Sequence, residues 1–210
     1  MGGKKREKGS SLFYFLSLSL SLLEMSALTP PTVENMKKQA MAVLEEMLID
    51  RGYHLTYVDR DLTQSESYYI KATHTDDQQW MLVFLNDEEK VNIASIKDRI
   101  VVMNREAASR CILVYRSSVT STAKKSIDTL DCKIELFGLH ELQLNITRHR
   151  LVPRHVRVTA DEKKMLDDAF KGKLPQLLTS DAVSRYFSFS RGEYIRIHRK
   201  DGSKMYRVVK

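Results

Sequence analysis

Short apolar runs alternate with helical segments across residues 32–149, and this alternation is the feature that most constrains the fold. Thr32 is placed to cap a helix whose apolar spacing continues to Gly52, where a C-terminal cap belongs. The strand-like runs Tyr68–Thr73 and Trp80–Leu85 follow, with a polar turn between them. The pattern is completed by a helix with Ile93, Ile96, Ile100, Met103 and Ala107 on one face, the strand Cys111–Tyr115, a helix carrying Ala123, Ile127 and Leu130, and the strand Cys132–Phe137. It predicts an α/β sandwich built on a central sheet.

Residues 150–210 follow a different pattern, which predicts a small α+β domain. Thr159 and Glu162 form a capping-box sequence for a helix through Phe170. Asp201-Gly202 between two alternating runs predicts a terminal β-hairpin, because the tight turn needs positive φ at both central residues. The predicted divisions are residues 1–31 as a leader or disordered tail, 32–149 as the α/β domain and 150–210 as the α+β domain.

Charge is distributed unevenly along the chain. From Arg150 to Lys210 there are 15 Lys or Arg and 7 Asp or Glu, whereas residues 25–149 carry 15 and 18. A basic C-terminal region predicts an acidic partner, either nucleic acid or the acidic surface of another protein. The alternative is a solvated basic face on an ordinary domain.

The chain before Met25 has the layout of a signal peptide, with a basic start followed by the uncharged run Leu12–Leu23. That run is too short to span a membrane as a helix. Met25-Ser26-Ala27 resembles an ordinary protein start, so we interpret residues 1–24 as an over-extended gene model or a disordered tail.

Two further features bear on the compartment. Cys111 and Cys132, the only cysteines, lie in apolar strand-like runs and are expected to be buried free thiols in a reducing environment. Asn145-Ile146-Thr147 matches a glycosylation sequon, which we interpret as a chance match because nothing downstream of the leader looks secreted.

A metal-dependent nuclease is one alternative function. Asp76 or Asp77 with Glu88 and Lys90 supplies the residue types of a small α/β nuclease site, but the spacing is loose and a solvated acidic loop is favoured. The histidines lack zinc-ligand spacing, and the sequence contains no Gly-rich phosphate loop, so we expect no cofactor. A free-standing nucleic-acid-binding protein is the other alternative.

The segment around Thr120 is a candidate nucleic-acid contact. Thr120 is a credible N-cap, so the helix that begins at Ser121 would offer free backbone N–H groups to phosphate, with Lys124 and Lys125 close by. The residues alone favour the other interpretation, an ordinary capped helix with two solvated lysines.

The landmarks together resemble those of the RNA polymerase subunit that is fifth in size in the eukaryotic nuclear enzymes and is called H in archaea. Met47–Tyr53 is similar to the family's MLxDRGY motif, Ser109–Val114 to SRAILV, and Glu141–His155 to ELLVNITEHELVPEH. The resemblance covers nearly all of residues 33–210. It implies a non-catalytic nuclear subunit with a nuclease-like jaw domain beside downstream DNA. It also implies an assembly domain that docks on the largest polymerase subunit, with no membrane partner.

Departures from the family pattern indicate a class-specific paralogue. The family's DNA-facing LTPSA motif aligns with Val119–Ala123, where Ser121 replaces the proline. The family's RPSETAG turn is replaced by a tight hairpin at Arg199–Gly202. We predict specificity for RNA polymerase I, and hence the nucleolus.

The predicted docking residues combine the resemblance with the hairpin pattern. They are Leu151, Val152, Pro153, His155, Arg191, Arg196, Arg199 and Arg207. Period-two alternation predicts one buried face of the hairpin, made of Ile195, Ile197 and Val208. It places Arg196, His198, Lys204 and Arg207 on the other face and along a free edge. There they either pair with a partner or only keep the edge soluble.

Overall fold

The computed structural model describes residues 31–62 and 68–210, so the predicted leader or tail, residues 1–31, lies outside them except for Pro31. Residues 37–210 form one compact unit, and residues 31–36 belong to a separate unit. The helices are α1 (Val33–Asp50), α2 (Ile93–Arg105), α3 (Ser121–Ile127), α4 (Ala160–Phe170) and α5 (Ala182–Tyr186). The strands are β1 (Tyr53–Val58), β2 (Ile70–His74), β3 (Trp80–Asn86), β4 (Lys90–Val91), β5 (Arg110–Tyr115), β6 (Ser118–Val119), β7 (Lys133–Gly138), β8 (Arg154–Arg157), β9 (Gln176–Leu177), β10 (Tyr194–His198) and β11 (Lys204–Val209). The predicted boundary between residues 149 and 150 stays a prediction.

The first sheet has the strand order β1-β2-β3-β5-β7. Its first three strands pair antiparallel, and β3, β5 and β7 pair parallel. Strand β3 is buried from Met81 to Asn86, as expected of a central strand covered on both faces. On one face Leu82 and Phe84 pack with residues of α2 and α3. The predicted α/β fold on a central sheet is confirmed, although the sequence pattern does not identify β1.

The ends of α1 confirm the predicted caps. In the first turn of the helix, Asn35 donates its backbone N–H to the Thr32 hydroxyl at 3.3 Å. At the other end Gly52 has φ +85°, a conformation that glycine adopts without steric cost.

The second sheet has the strand order β8-β10-β11-β9. Both hairpin strands therefore have a neighbour on each side, and the prediction that the hairpin itself supplies the free edge is wrong. Strand β8 covers β10, and the two-residue strand β9 covers only the end of β11. These flanking strands escape prediction because they are short and largely polar.

The hairpin loop is one residue longer than predicted. Arg199 donates its N–H to the Ser203 carbonyl at 2.9 Å, and Gly202 alone in the loop has positive φ. This three-residue loop moves the register by one position, so Ile195 pairs with Arg207 and residue 194 with residue 208. Arg207 therefore lies on the same face as Ile195, and Val208 lies on the opposite face, which is the reverse of the predicted assignment.

Both cysteines are free. Cys111 is fully buried and Cys132 is partly buried, and burial raises the pKa of both thiols. No helix within residues 31–62 and 68–210 is long and apolar enough to cross a membrane.

Candidate docking and nucleic-acid interfaces

Arg196 forms an intramolecular ion pair with Glu162 of α4. Its guanidinium donates to both carboxylate oxygens of Glu162 at 2.8 Å, and the Tyr206 hydroxyl donates to Glu162 at 2.9 Å. Burial alone would raise the pKa of Glu162, but the hydrogen bonds from Tyr206 and Arg196 outweigh it and lower that pKa. This cluster holds α4 against the polar face of the second sheet, so Arg196 does not present a free charge to a partner. The Thr159 hydroxyl caps α4 as predicted, accepting from the Glu162 N–H at 3.3 Å. The reciprocal half of the predicted capping box is not formed, because the Glu162 carboxylate accepts from Arg196 and Tyr206 instead.

The other predicted hairpin arginines occupy different surroundings. Arg207 is half-buried and donates to the Gln176 carbonyl at 3.1 Å, while its buried Nε has no hydrogen-bond partner within the described part of the chain. Arg191 and Arg199 are exposed near the two ends of β10. Their docking role stays a prediction.

A groove runs along β8 and contains most of the remaining predicted docking residues. It has a volume of about 610 Å³ and is lined by Asp50, Thr147, Arg148, Val152, Pro153, Arg154, His155, Val156, Arg157, Val183, Phe187 and Phe189. Leu151, at 71% exposure, lies next in sequence to the groove residue Val152. The Nδ1 atom of His155 lies 2.8 Å from the Pro153 carbonyl oxygen, and burial lowers the pKa of His155.

The seam between the two sheets is held by a buried ion pair. The Arg51 side chain is 3% exposed and pairs with Glu135 at 2.9 Å. It also donates to the backbone carbonyls of Tyr186 at 2.6 Å and of Arg185 at 2.8 Å. Arg185 in turn pairs with Glu141. The sequence identifies Arg51 only as part of a family motif, because nothing local distinguishes it from an ordinary charged helix end.

A second set of buried contacts crosses the seam at Asn145, which is 5% exposed. Its amide donates to Glu46 at 2.6 Å and to the Tyr186 hydroxyl at 3.0 Å. The Tyr186 hydroxyl donates to Asp50 at 2.8 Å, and burial together with the Asp50 contact raises the pKa of Tyr186. An amide committed in this way cannot carry a glycan in the folded chain, which supports the interpretation of the sequon as a chance match.

The candidate nucleic-acid segment folds as a capped helix. The Thr120 hydroxyl accepts from the Ala123 N–H at 3.2 Å, which confirms the predicted N-cap. Ser121, Lys124 and Lys125 are all exposed. The helix is only seven residues long, and a contact with DNA through it stays a prediction.

The residues of the nuclease alternative lie at opposite ends of β3. Asp77 precedes the strand and pairs with Arg110 at 2.6 Å, whereas Glu88 follows the strand and accepts from the Ser95 hydroxyl at 2.6 Å. The strand between them spans about 20 Å, so these carboxylates cannot share one metal ion. Within residues 31–62 and 68–210, no group of three or more His, Cys, Asp or Glu side chains is arranged to hold a metal.

Comparison with known proteins assigns the family. A family model described as RNA polymerase Rpb5, C-terminal domain, matches residues 144–209, from the seam through the second sheet. The rpabc1 subunit of DNA-directed RNA polymerases I, II, and III from Dictyostelium discoideum is 33% identical over 168 residues, which cover 73% of this chain and 85% of that protein. The RPABC1 subunit from Caenorhabditis briggsae is 36% identical over 167 residues, which cover 77% of this chain and 76% of that protein.

A solved structure of the ATP-dependent Type ISP restriction-modification enzyme LlaBIII bound to DNA aligns with 70% of this chain and 11% of that chain. Its sequence identity of 16% and TM-score of 0.41 are too low to carry an argument. The two polymerase relatives, by contrast, are matched over most of their length at 33% and 36% identity. This chain therefore belongs to the RNA polymerase Rpb5 family, and it is a non-catalytic accessory subunit rather than an enzyme.

Proposed function

We propose that this chain is a structural subunit of a multisubunit nuclear DNA-directed RNA polymerase. The observation that carries the proposal is the match to the Dictyostelium discoideum subunit over 85% of that protein. The buried seam at Arg51 supports a structural role, because it fixes the second sheet to the first through charged and backbone groups that are already bonded to one another.

The second sheet is the proposed docking surface for the largest polymerase subunit. The groove along β8, the exposed side chain of Leu151 and the excess of Lys and Arg after residue 149 support this assignment. A basic surface of this kind favours an acidic protein partner by charge complementarity.

The first sheet and its helices form the proposed jaw beside downstream DNA. The exposed Lys124 and Lys125, in the helix that Thr120 caps, support a contact with phosphate groups. Such a contact would position the duplex without reading its sequence.

The most specific part of the proposal concerns which of the nuclear RNA polymerases contains this chain. A tight loop between Arg199 and Ser203, in place of the family's longer turn, supports a paralogue dedicated to one enzyme, which we propose is RNA polymerase I in the nucleolus. The relatives carry names that describe subunits of polymerases I, II and III. Purification of each class separately tests this point, because a dedicated paralogue is present in one class and absent from the other two.

Affinity purification from the cells that express the chain tests the function itself. A tagged chain is expected to recover the large polymerase subunits in near-equal amounts, with the same tag on an unrelated protein as the control. Recovery of the chain without any polymerase subunit would overturn the proposal. DNA cleavage by the purified chain that is lost in Glu88→Ala would support the nuclease instead.

A further inference from the structure

The outer edge of β8 is open. Among residues 31–62 and 68–210, β8 pairs only with β10. The Val158 N–H donates to the Tyr194 carbonyl at 3.0 Å, which makes residues 154, 156 and 158 the ones whose backbone groups bond to β10. The backbone N–H and C=O groups of His155 and Arg157 therefore point the opposite way, to the open edge.

The groove along β8 adjoins that edge and is unevenly charged. Its charged lining consists of three arginines and one carboxylate, namely Arg148, Arg154, Arg157 and Asp50. Asp50 already accepts from the Tyr186 hydroxyl, Arg148 pairs with Glu46 at 3.5 Å, and Arg157 pairs with Glu193 at 3.3 Å. Arg154 is exposed and makes no ion pair with any described residue. On β8 itself the charge without an ion pair among the described residues is therefore that of Arg154, which is positive, whereas the Asp50 carboxylate belongs to the end of α1.

We infer that β8 is a strand-addition site, which takes an extended acidic segment of a partner polypeptide. Backbone groups of His155 and Arg157 would bond to the added strand, and an acidic side chain of that strand would pair with Arg154. The inference rests on the proposed function, because the partner is a larger polymerase subunit. It adds the manner of binding and the chemistry of the bound segment.

A competing explanation is that the edge is only protected against aggregation. Pro153 lacks an N–H, β8 is four residues long, and flanking arginines discourage unwanted pairing. The two explanations differ in what they predict for individual backbone amides, since protection alone requires no partner at the edge.

Hydrogen exchange at single-residue resolution, on the free chain and on the chain within purified polymerase, distinguishes them. In the free chain the amides of His155 and Arg157 should exchange fast. In the complex they should slow by about tenfold or more, while Val156 and Val158, already bonded to β10, change little. A chain that is present in the polymerase with His155 and Arg157 still exchanging fast overturns strand addition but leaves the proposed function standing. A chain that never enters the polymerase overturns both.

Charge reversal tests the acidic character of the segment. Arg154→Glu should lower the amount of chain recovered in polymerase by about tenfold, the loss expected when a favourable ion pair becomes repulsive. Lys173→Glu, an equal change at an exposed position away from β8, is the matched control and should be recovered normally. Equal recovery of the two variants overturns the acidic segment. Slowed exchange of His155 and Arg157 on adding duplex DNA to the free chain would assign the edge to nucleic acid and also overturn it.

Discussion

The five-stranded first sheet and the four-stranded second sheet differ in how they use their polar groups. The first sheet has parallel central strands with apolar runs buried on both faces, as in β3, where Met81 to Leu85 are all buried. In the second sheet, buried Ile195 and Ile197 alternate with Arg196, whose guanidinium pairs with Glu162 of α4. Within residues 31–62 and 68–210 it also leaves the outer edge of β8 unpaired, beside the exposed Arg154 and Arg157. The central strands of the first sheet therefore bury the groups that could recognise a partner, whereas the second sheet keeps backbone groups and charge available.

Breaking the link between the sheets should have the largest effect. Arg51→Met removes the charged partner of Glu135 and a donor to two backbone carbonyls, at a site where the Arg51 side chain is 3% exposed. Glu135 keeps only the Ser188 hydroxyl at 3.0 Å and the distant Lys133 amine at 3.9 Å among the described residues. Loss of one partner from a buried pair costs about 3–5 kcal/mol, so the free energy of unfolding should fall by that amount. Denaturant unfolding monitored by circular dichroism measures it.

The control for this variant is Arg60→Met. Arg60 pairs with Glu45 at 2.8 Å, but its side chain is 70% exposed. Its loss should change the free energy of unfolding by less than about 0.5 kcal/mol. Similar losses for Arg51→Met and Arg60→Met would show that the seam pair does not join the sheets.

The polar face of the second sheet provides the next largest effect. Arg196→Glu sets a second carboxylate against Glu162 and removes two charged hydrogen bonds. We expect a loss of about 2–3 kcal/mol in the free energy of unfolding. Arg199→Glu, at an exposed position on the same hairpin, should change it by less than about 0.5 kcal/mol. A stable Arg196→Glu variant would mean that α4 is not held through Glu162, and that Arg196 is free to dock as the sequence pattern predicts.

Tyr186 tests the seam from its other side. Tyr186→Phe removes the hydroxyl that donates to Asp50 and accepts from Asn145, which should cost about 1–2 kcal/mol at neutral pH. The pKa of Tyr186 is raised in the folded chain, so the folded state holds its proton at a pH where the unfolded state releases it. This contribution is fully present below the ordinary tyrosine value of about 10 and is lost as the pH rises from there through the folded value.

Unfolding titrations of the wild type and of Tyr186→Phe, measured between neutral pH and pH above about 10, check this linkage. The stability of the wild type should fall more steeply with rising pH than that of the variant, and the difference between them should shrink. Parallel curves would indicate that the Tyr186 hydroxyl titrates normally in the folded chain.

The sequence predicts the first sheet better than the second for a physical reason. A strand buried on both faces, such as β3, has an unbroken apolar run, and the predicted run Trp80–Leu85 differs from the observed strand by one residue. In the second sheet, the alternation of apolar and polar residues in β10 and β11 is compatible with two pairing registers of the hairpin. The length of the loop between Arg199 and Ser203 decides between them, and Asp201-Gly202 does not specify that length.

The seam is beyond the reach of local sequence patterns. Arg51 contacts Glu135 and Tyr186, which lie 84 and 135 residues away in the chain. The sequence marks Asn145 only as part of a sequon and of the family motif Glu141–His155, and neither predicts its burial or its hydrogen bond to the distant Tyr186. The caps at Thr120 and Thr159 are predicted correctly because their hydrogen bonds close within three residues.

The smallest effect concerns the first sheet, at the position where this chain departs from the family. Ser121 is the first residue of α3, and Thr120 before it has φ −64° and ψ 148°, which is the extended conformation that a following proline requires. Proline is favoured at the first helical position because the N–H it lacks has no partner within the helix there. Ser121→Pro should therefore raise the free energy of unfolding by about 0.4–1 kcal/mol, mainly by restricting the unfolded chain.

Ser121→Ala separates the effect of proline from the loss of the hydroxyl, and it should leave stability within about 0.5 kcal/mol of the wild type. Ser126→Pro, inside the same helix, should instead cost about 3 kcal/mol, because proline there breaks a backbone hydrogen bond and clashes with the preceding turn. If Ser121→Pro also destabilises the chain, the backbone at Ser121 needs its N–H. The replacement of the family proline would then mark a changed local contact rather than a neutral substitution, and the first sheet would have a specific surface of its own beside α3.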